Sequence, residues 1–256
     1  MLNKSVPRSL KKIPDDPSVL LVGIPGPGLI GTLSISYLVH MLDMEIVGEI
    51  TNPETTSVIL VDDGEIFGPV RIYRSGQLYA ILSDIPIDYE MAASFAQSLI
   101  EFAQKNRIDI IMLPNGIHVS EKDTNKILTY GLITDQRLDG TLYDNEIPKF
   151  LTGMIAGPDA TILSYLKNSS IPSLILFTQC NFFFPDPESA MYAIQAISGI
   201  VKRRVDLTEF KKQMNYLRLQ GRQLMEDTLN ILQQEKEPQK PLRYTSNKND
   251  KLYPRV

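Results

Sequence analysis

The glycines at positions 26, 28 and 31 carry the strongest chemical signal in this sequence. Gly26, Gly28 and Gly31 form a G-x-G-x-x-G motif between an apolar strand-like run and a helix-like run. In such a turn the backbone can approach a phosphate, and the helix N-terminus offers unpaired N–H groups to the anion. Glu49 follows near the end of the next strand-like run, where a ribose-binding carboxylate would lie. Taken by itself, the motif is typical of an anion site at Gly26, Gly28 and Gly31.

The surroundings of this turn favour a packing role. A dinucleotide-binding half requires alternating strands and helices, whereas the strand patterns after Glu49 follow one another without room for a second crossover helix. Pro27 also removes one backbone N–H from the turn. We therefore predict that the glycines allow a helix and a strand to pack closely. The alternative is an enzyme that binds a nucleoside or nucleotide phosphate at this turn.

Few other residues could do chemistry. Cys180 follows a strand pattern and could act as a thiol nucleophile assisted by His118, but nothing in the sequence places the two together. The acidic residues Asp62, Asp63 and Glu65 could bind a divalent cation, yet an Asp-Gly pair is ordinary hairpin chemistry. We expect no catalytic residue, no metal and no cofactor.

Composition and charge exclude several classes of protein. The chain has 256 residues, of which 43% are hydrophobic and 22% charged, as in a soluble globular protein. Its single cysteine excludes an intramolecular disulfide, which fits a cytoplasmic protein. The formal charge is −4, and acidic residues interrupt the basic run at 202–204, 211 and 212, so we expect no nucleic-acid partner. Prolines and glycines split the uncharged run 17–42, so we expect no membrane span.

Alternating strand and helix patterns predict the architecture that must position these residues. Short apolar runs predict strands at 19–24, 45–50, 57–61, 69–73, 78–83, 109–114 and 173–178. Three-and-four spacing predicts helices at 28–42, 86–105 and 187–201, and another around Leu163 and Leu166. The strands between 45 and 83 form an antiparallel insertion. We therefore predict an α/β protein, a three-layer α/β/α sandwich on a mixed sheet.

A long amphipathic helix is predicted after the last strand. Apolar residues from Leu207 to Ile231 follow a three-four pattern, and this side of the helix either packs on the parent domain or joins protomers. The polar segment after it reads as a flexible tail. The chain thus divides into an N-terminal extension at 1–16, a core domain at 17–205, the helix at 206–234 and the tail at 235–256.

Four segments resemble the proteasome assembly chaperone 2 family, especially its archaeal members. They are GIPGPGLIG at 23–31, GPVRIY at 68–73, GMIAG at 153–157 and FPDPESA at 184–190. The match is distributed over most of the chain, from about Val19 to Leu232. The resemblance implies a fold akin to nucleoside phosphorylases and related hydrolases, without their catalytic residues. It also implies homo-oligomers that bind proteasome α-subunits or rings.

The same resemblance implies partner-binding residues near the end of the chain. Some family members end in a hydrophobic residue, a tyrosine and any residue, and this motif inserts into pockets between α-subunits. Leu252, Tyr253 and Pro254 match that order, but Arg255 and Val256 follow them. The terminal carboxylate, which pairs with a pocket lysine in the family, is displaced beyond the tyrosine here. We expect a non-catalytic, oligomeric binding protein whose partner-binding residues are Leu252, Tyr253 and Pro254.

Overall fold

The computed structural model describes residues 13–51, 58–62, 64–119 and 127–233. The expected partner-binding residues Leu252, Tyr253 and Pro254 lie outside the described residues. The strands are β1 (Val19–Gly23), β2 (Glu45–Glu49), β3 (Leu60–Asp62), β4 (Glu65–Phe67), β5 (Val70–Ser75), β6 (Leu78–Ser83), β7 (Ile110–His118), β8 (Thr129–Ile133) and β9 (Ser173–Cys180). The α-helices are α1 (Ile30–Met41), α2 (Met91–Lys105), α3 (Asp139–Asp144), α4 (Pro158–Asn168), α5 (Pro187–Ile200) and α6 (Thr208–Gln233).

Seven of these strands form one mixed sheet in the order β2-β5-β6-β1-β7-β9-β8. The four central strands β6, β1, β7 and β9 run parallel to one another. Strands β5 and β2 continue the sheet antiparallel on one side, and β8 pairs antiparallel with β9 on the other. Helices α1 and α5 cover one face, and α2 and α4 cover the other. The predicted three-layer α/β/α sandwich on a mixed sheet is confirmed.

The core lies on both faces of the central strands. Every residue of β1 and β6 is buried, as expected for strands covered by helices on both sides. Side chains alternate between the two faces along β1, so that Leu21 packs beneath α1 and α5 while Leu20 packs beneath α2 and α4. The carboxyl ends of β1, β7 and β9 therefore lie at one edge of a rigid, fully packed sheet.

The structure differs from the sequence prediction in several places. Strand β4 and helix α3 were not predicted, and the helix predicted at 86–105 begins at Met91. Strand β8 was not predicted, because its TYGLI sequence is half-buried and too short to show a clear alternation. Of the predicted strand at 57–61, only residues 60 and 61 lie in a described strand, β3, which pairs with β4 in a separate two-stranded sheet. The helix predicted from residue 28 begins at Ile30, because a 3-10 turn at Pro27–Leu29 precedes it.

The apolar side of α6 packs on the parent domain. Phe210 and Met225 on this helix are each 1% exposed. The ring of Phe210 meets Tyr37 edge-on with centroids 4.7 Å apart, and the Tyr37 hydroxyl donates a 2.6 Å hydrogen bond to the carbonyl of Asp206. The opposite side of α6 exposes Tyr216 and Leu219. Among the described helices, none combines the length and apolar character that crossing a bilayer requires.

Candidate functional site

The glycine turn after β1 is buried and tightly enclosed. Gly28 has a positive φ of 64°, which favours glycine. A Cβ atom there would lie 2.9 Å from the carbonyl oxygen of Asn181 and 3.0 Å from Sγ of Cys180. At Gly31 a Cβ would lie 2.7 Å from the carbonyl oxygen of Ile24. The glycines thus permit the close packing expected of them, and the anion site at Gly26, Gly28 and Gly31 stays a prediction.

Asp186 connects this turn to the start of α5. Its backbone N–H donates a 2.9 Å hydrogen bond to the carbonyl of Gly28. Its carboxylate accepts hydrogen bonds from the N–H of Ser189 at 3.1 Å and from the N–H of Asn181 at 2.8 Å. The sequence interpretation missed this residue, although an aspartate followed by proline at the first helical position is an ordinary N-cap signal. Asp186 therefore caps α5 and fixes the turn in place.

Glu49 does not lie where a ribose-binding carboxylate would be needed. In a dinucleotide-binding fold that carboxylate ends a strand adjacent to the first strand. Here β5 and β6 separate β2 from β1, so Glu49 lies toward the sheet edge. Its Oε2 atom accepts a 2.6 Å hydrogen bond from the N–H of Gly68. The carboxylate thus supports the neighbouring loop.

Cys180 and His118 occupy matching positions at the ends of neighbouring strands. The register of β7 and β9 places them as Cα partners. The thiol side chain is 1% exposed and lies where a Cβ on Gly116 would come within 2.5 Å of its Sγ. The imidazole belongs to an exposed residue and packs edge-on against Phe182 with ring centroids 5.9 Å apart. The cysteine is therefore enclosed by the glycine turn, while the histidine faces a cavity.

The acidic and basic candidates lie away from this edge of the sheet. Glu65 begins β4 in the separate hairpin, and Asp63 lies outside the described residues. Across the described ranges, no three His, Cys, Asp or Glu side chains are grouped so that they could hold a metal ion. In the basic run, Lys212 is exposed and lies 3.6 Å from Glu209, one turn earlier on α6. Lys212 and Glu209 therefore belong to a solvated surface.

A cavity of about 280 Å³ opens at the carboxyl ends of the central strands. Pro27 of the glycine turn and Asn115 of β7 line it, together with Asp159 in the first turn of α4. Leu232, near the end of α6, closes one side. The remaining lining residues are Tyr89, Gly116, Ile117, His118, Phe150, Met154, Ile155, Ala156, Gly157, Phe177 and Phe182. This cavity is the candidate functional site.

A hydrogen-bonded pair provides the polar part of the cavity. The Asn115 side-chain amide donates a 2.7 Å hydrogen bond to Oδ2 of Asp159, 44 residues later in the chain. Burial raises the pKa of the Asp159 carboxyl, and the hydrogen bond from Asn115 acts in the opposite direction. The sequence interpretation missed both residues. Asp159 follows Gly157 and Pro158 as an ordinary helix-start residue, so its sequence context did not mark it.

Aromatic side chains form the walls of the cavity. Phe150 and Phe177 pack with ring centroids 5.1 Å apart. His118 and Phe182 form a second pair, and Tyr89 lies at the rim with 43% of its surface exposed. The cavity therefore combines largely apolar, aromatic walls with one half-buried carboxyl.

Three of the four segments behind the family resemblance meet at this edge. Residues 23–31 form the glycine turn, 153–157 contribute to the cavity wall, and 184–190 cap α5 against the turn. A Cβ on Gly221 of α6 would lie 3.0 Å from Cδ1 of Leu29 and 3.0 Å from Cγ of Pro185. Segments far apart in sequence thus share one packed region, which α6 covers.

In a comparison with known proteins, the matches extend over most of the chain, as the segments behind the family resemblance do. Residues 20–225 match the model of the PAC2 family. An uncharacterized protein of Methanocaldococcus jannaschii is 23% identical over 223 residues, which are 82% of this chain and 84% of the relative.

Two solved archaeal structures share the fold. Pyrococcus furiosus PbaA, an archaeal homolog of proteasome-assembly chaperone, superposes with a TM-score of 0.77 at 17% identity. That match covers 86% of this chain and 96% of PbaA. Pyrococcus furiosus PbaB, an archaeal proteasome activator, superposes with a TM-score of 0.67 at 19% identity, over 82% of this chain and 95% of PbaB. At these identities the likeness establishes the fold.

Proposed function

This chain belongs to the PAC2 family, and on that premise we propose that it is a non-catalytic, chaperone-like protein that binds proteasome α-subunits or rings in the cytoplasm. One observation carries the proposal. The fold of this chain reproduces 96% of PbaA, a homolog of proteasome-assembly chaperone, and 95% of PbaB, a proteasome activator. The names of these two solved relatives both refer to the proteasome.

The geometry at the carboxyl ends of the central strands supports a binding role over a catalytic one. The thiol of Cys180 is buried against the glycine turn, where Gly28 and Gly116 leave it no room to meet a substrate. A nucleophile must approach its substrate and the base that activates it to within hydrogen-bonding distance. We therefore propose that this protein acts by binding other proteins through its surface.

The C-terminal residues Leu252, Tyr253 and Pro254 are the proposed contact with α-subunits. Several copies of such a segment on one oligomer would gain avidity, because each bound copy raises the effective concentration of the next. We therefore also propose that the protein acts as a homo-oligomer. Binding then requires both the segment and the assembled body.

A pull-down with purified proteasome α-subunits tests this function. We expect the full chain to retain α-subunits, and Tyr253→Ala to reduce the retained amount at least about tenfold, because avidity multiplies the loss of each contact. Tyr244→Ala is the matched control, since it removes another tyrosine of the same segment and should leave retention unchanged. Failure of the full chain to retain α-subunits would reject the proposed function. Unchanged retention by Tyr253→Ala would assign the contact to the folded body instead.

The alternative of an enzyme at the glycine turn has its own test. A ligand that binds only the folded protein stabilises it by about 2.7 kcal/mol at one hundred times its dissociation constant. Thermal unfolding with NAD, ATP and nucleosides should therefore show no shift if Gly26, Gly28 and Gly31 serve packing alone. A rise in Tm with any of these compounds would favour the enzyme.

A further inference from the structure

The cavity lies where the chain connections of the sheet diverge. From β1 the chain passes through α1 to β2 on one side, and from β7 it continues to β8 and β9 on the other. In open α/β sheets, ligands bind outside the carboxyl ends of the strands at such a divergence. Pro27 after β1 and Asn115 on β7 both line the cavity. Its position is therefore that of a ligand site.

The charge of the residues that line the cavity indicates which charge a ligand should carry. Among the described lining residues, Asp159 is the one carboxylate, and no lysine or arginine accompanies it. Asp159 accepts a hydrogen bond from the neutral amide of Asn115. A phosphate or carboxylate ligand would meet a like charge there. A cation would instead supply the missing opposite charge.

The aromatic walls favour the same kind of ligand. The faces of Phe and Tyr rings attract organic cations through the ring quadrupole, most strongly where water is excluded. Phe150 and Phe177 form one wall, while Phe182 and Tyr89 stand elsewhere around the cavity. A volume of about 280 Å³ is enough for an alkylammonium or guanidinium group with a short carbon chain.

We propose that this cavity binds an organic cation, an ammonium or guanidinium group, with Asp159 as its counter-ion and the aromatic side chains as its walls. The Asn115 amide holds Oδ2 of Asp159 at 2.7 Å and so fixes the direction of the carboxylate. Asn115 is itself fixed, because its Oδ1 accepts a 2.7 Å hydrogen bond from the N–H of Gly116. The site does not depend on the proposed proteasome partner. The cation can come from a free amine or from a lysine or arginine side chain.

Calorimetry with chosen probes tests this site on the full chain. Choline presents the cation as a small molecule, and Nα-acetyl-lysine amide presents it as a protein side chain. The control is 3,3-dimethyl-1-butanol, which has the shape of choline without its charge. We expect at least one cation to bind at least about tenfold more tightly than the neutral alcohol. Binding of choline alone would indicate a small-molecule ammonium ion, and binding of the lysine derivative alone would indicate a protein side chain. Absence of binding by both cations, or equal binding by the alcohol, would overturn the proposal.

Two carboxylate variants distinguish an effect of Asp159 in the cavity from an effect of the overall negative charge of the protein. Asp159→Asn keeps the shape of the side chain and its acceptor for Asn115, and we expect it to weaken cation binding at least about tenfold. Asp144→Asn neutralises an exposed carboxylate on α3 and should leave the affinity unchanged. Circular dichroism confirms that each variant is folded. Equal affinity of wild type and Asp159→Asn would overturn the proposal, whereas retention of α-subunits by Asp159→Asn would show that the two functions are separate.

The pH dependence of affinity provides a second readout. Burial raises the pKa of Asp159, so cation binding should strengthen as pH rises through that pKa and the carboxyl loses its proton. The other titratable lining residues are Tyr89 and His118. His118 also lines the cavity, so the variant His118→Gln separates its contribution from that of Asp159. Affinity independent of pH in both wild type and His118→Gln would contradict the role of Asp159.

Discussion

At the residue scale, Gly28 and Gly76 show what the glycine turn requires. Both have nearly the same positive φ, 64° and 63°, but a Cβ on Gly76 would meet nothing within 4 Å. A Cβ on Gly28 would lie 2.9 Å from the carbonyl oxygen of Asn181 and 3.0 Å from Sγ of Cys180, well inside van der Waals contact. A comparison of the two positions therefore separates the cost of a left-handed backbone conformation from the cost of steric overlap.

Alanine substitution at each position measures these two costs as losses in the free energy of unfolding. Gly76→Ala should destabilise the protein by about 1 kcal/mol, the cost of a left-handed backbone with a Cβ. Gly28→Ala should cost about 1–3 kcal/mol more, because the added atom also overpacks a buried site. Urea unfolding followed by circular dichroism gives both values. Equal losses at the two positions would show that close packing is not what Gly28 provides.

Asp159 gives a prediction about stability and pH. Because burial raises the pKa of its carboxyl above that of the unfolded chain, the folded state holds this proton more tightly. Stability should therefore fall as pH rises from the ordinary aspartate range through the raised pKa, and Asp159→Asn should lack this loss. The hydrogen bonds from Thr208 lower the pKa of the exposed Asp206 and act in the opposite direction. The difference in Tm between variant and wild type, measured across pH, isolates Asp159. A difference that does not change with pH would contradict the assignment.

At the element scale, α6 is held by one side of a long helix. Phe210 is 1% exposed against Tyr37, and Thr228 is 2% exposed near the glycine turn. Gly221 lies between them in the sequence, where an added Cβ would come within 3.0 Å of Leu29 and Pro185. The same helix closes the cavity with Leu232. Its docking therefore supports both the core and the candidate site.

Two alanine substitutions on α6 test this docking. Phe210→Ala should destabilise the protein by about 3–5 kcal/mol, because it removes a fully buried aromatic ring. Leu219→Ala, on a residue that is 62% exposed, should change stability by less than about 0.5 kcal/mol. Chemical unfolding of both variants checks the pair. A comparable loss from Leu219→Ala would mean that the outer side of α6 is also covered, as in an oligomer.

At the scale of the whole molecule, the β3–β4 hairpin exposes an apolar surface. Val61 and Ile66 are cross-strand partners and are 71% and 72% exposed. The hairpin forms its own two-stranded sheet, and an isolated hairpin is marginally stable in water. Val47 on the nearby edge strand β2 is 50% exposed as well. These surfaces favour a contact between copies of this chain.

Light scattering tests this contact. One chain has a mass of 28.8 kDa, and we expect the protein in solution to show a multiple of that value. The double substitution Val61→Ser with Ile66→Ser should reduce the measured mass, because it removes the apolar pair without touching the core. Tyr216→Ser with Leu219→Ser on the outer side of α6 is the control and should leave it unchanged. The reverse result would assign the contact to α6.

The residue patterns by themselves determined the α/β class and most elements of the described fold. Strand and helix periods are local properties, so apolar runs such as that of β1 and the spacing of α2 were readable without neighbours. The packing role of the glycine turn was readable too, because Pro27 and the missing crossover helix argued against a dinucleotide site. The family resemblance rested on segments that the sequence shows directly.

Only the tertiary structure decided which of these elements meet. Strand order separates Glu49 from the glycine turn by two strands, and backbone register pairs β8 with β9 although its own sequence is weakly patterned. Asn115 and Asp159 lie 44 residues apart and become partners only when α4 docks beside the end of β7. The side on which α6 packs was likewise open in the sequence. The physical reason is that long-range pairing depends on the combined burial of many elements, and no local period encodes it.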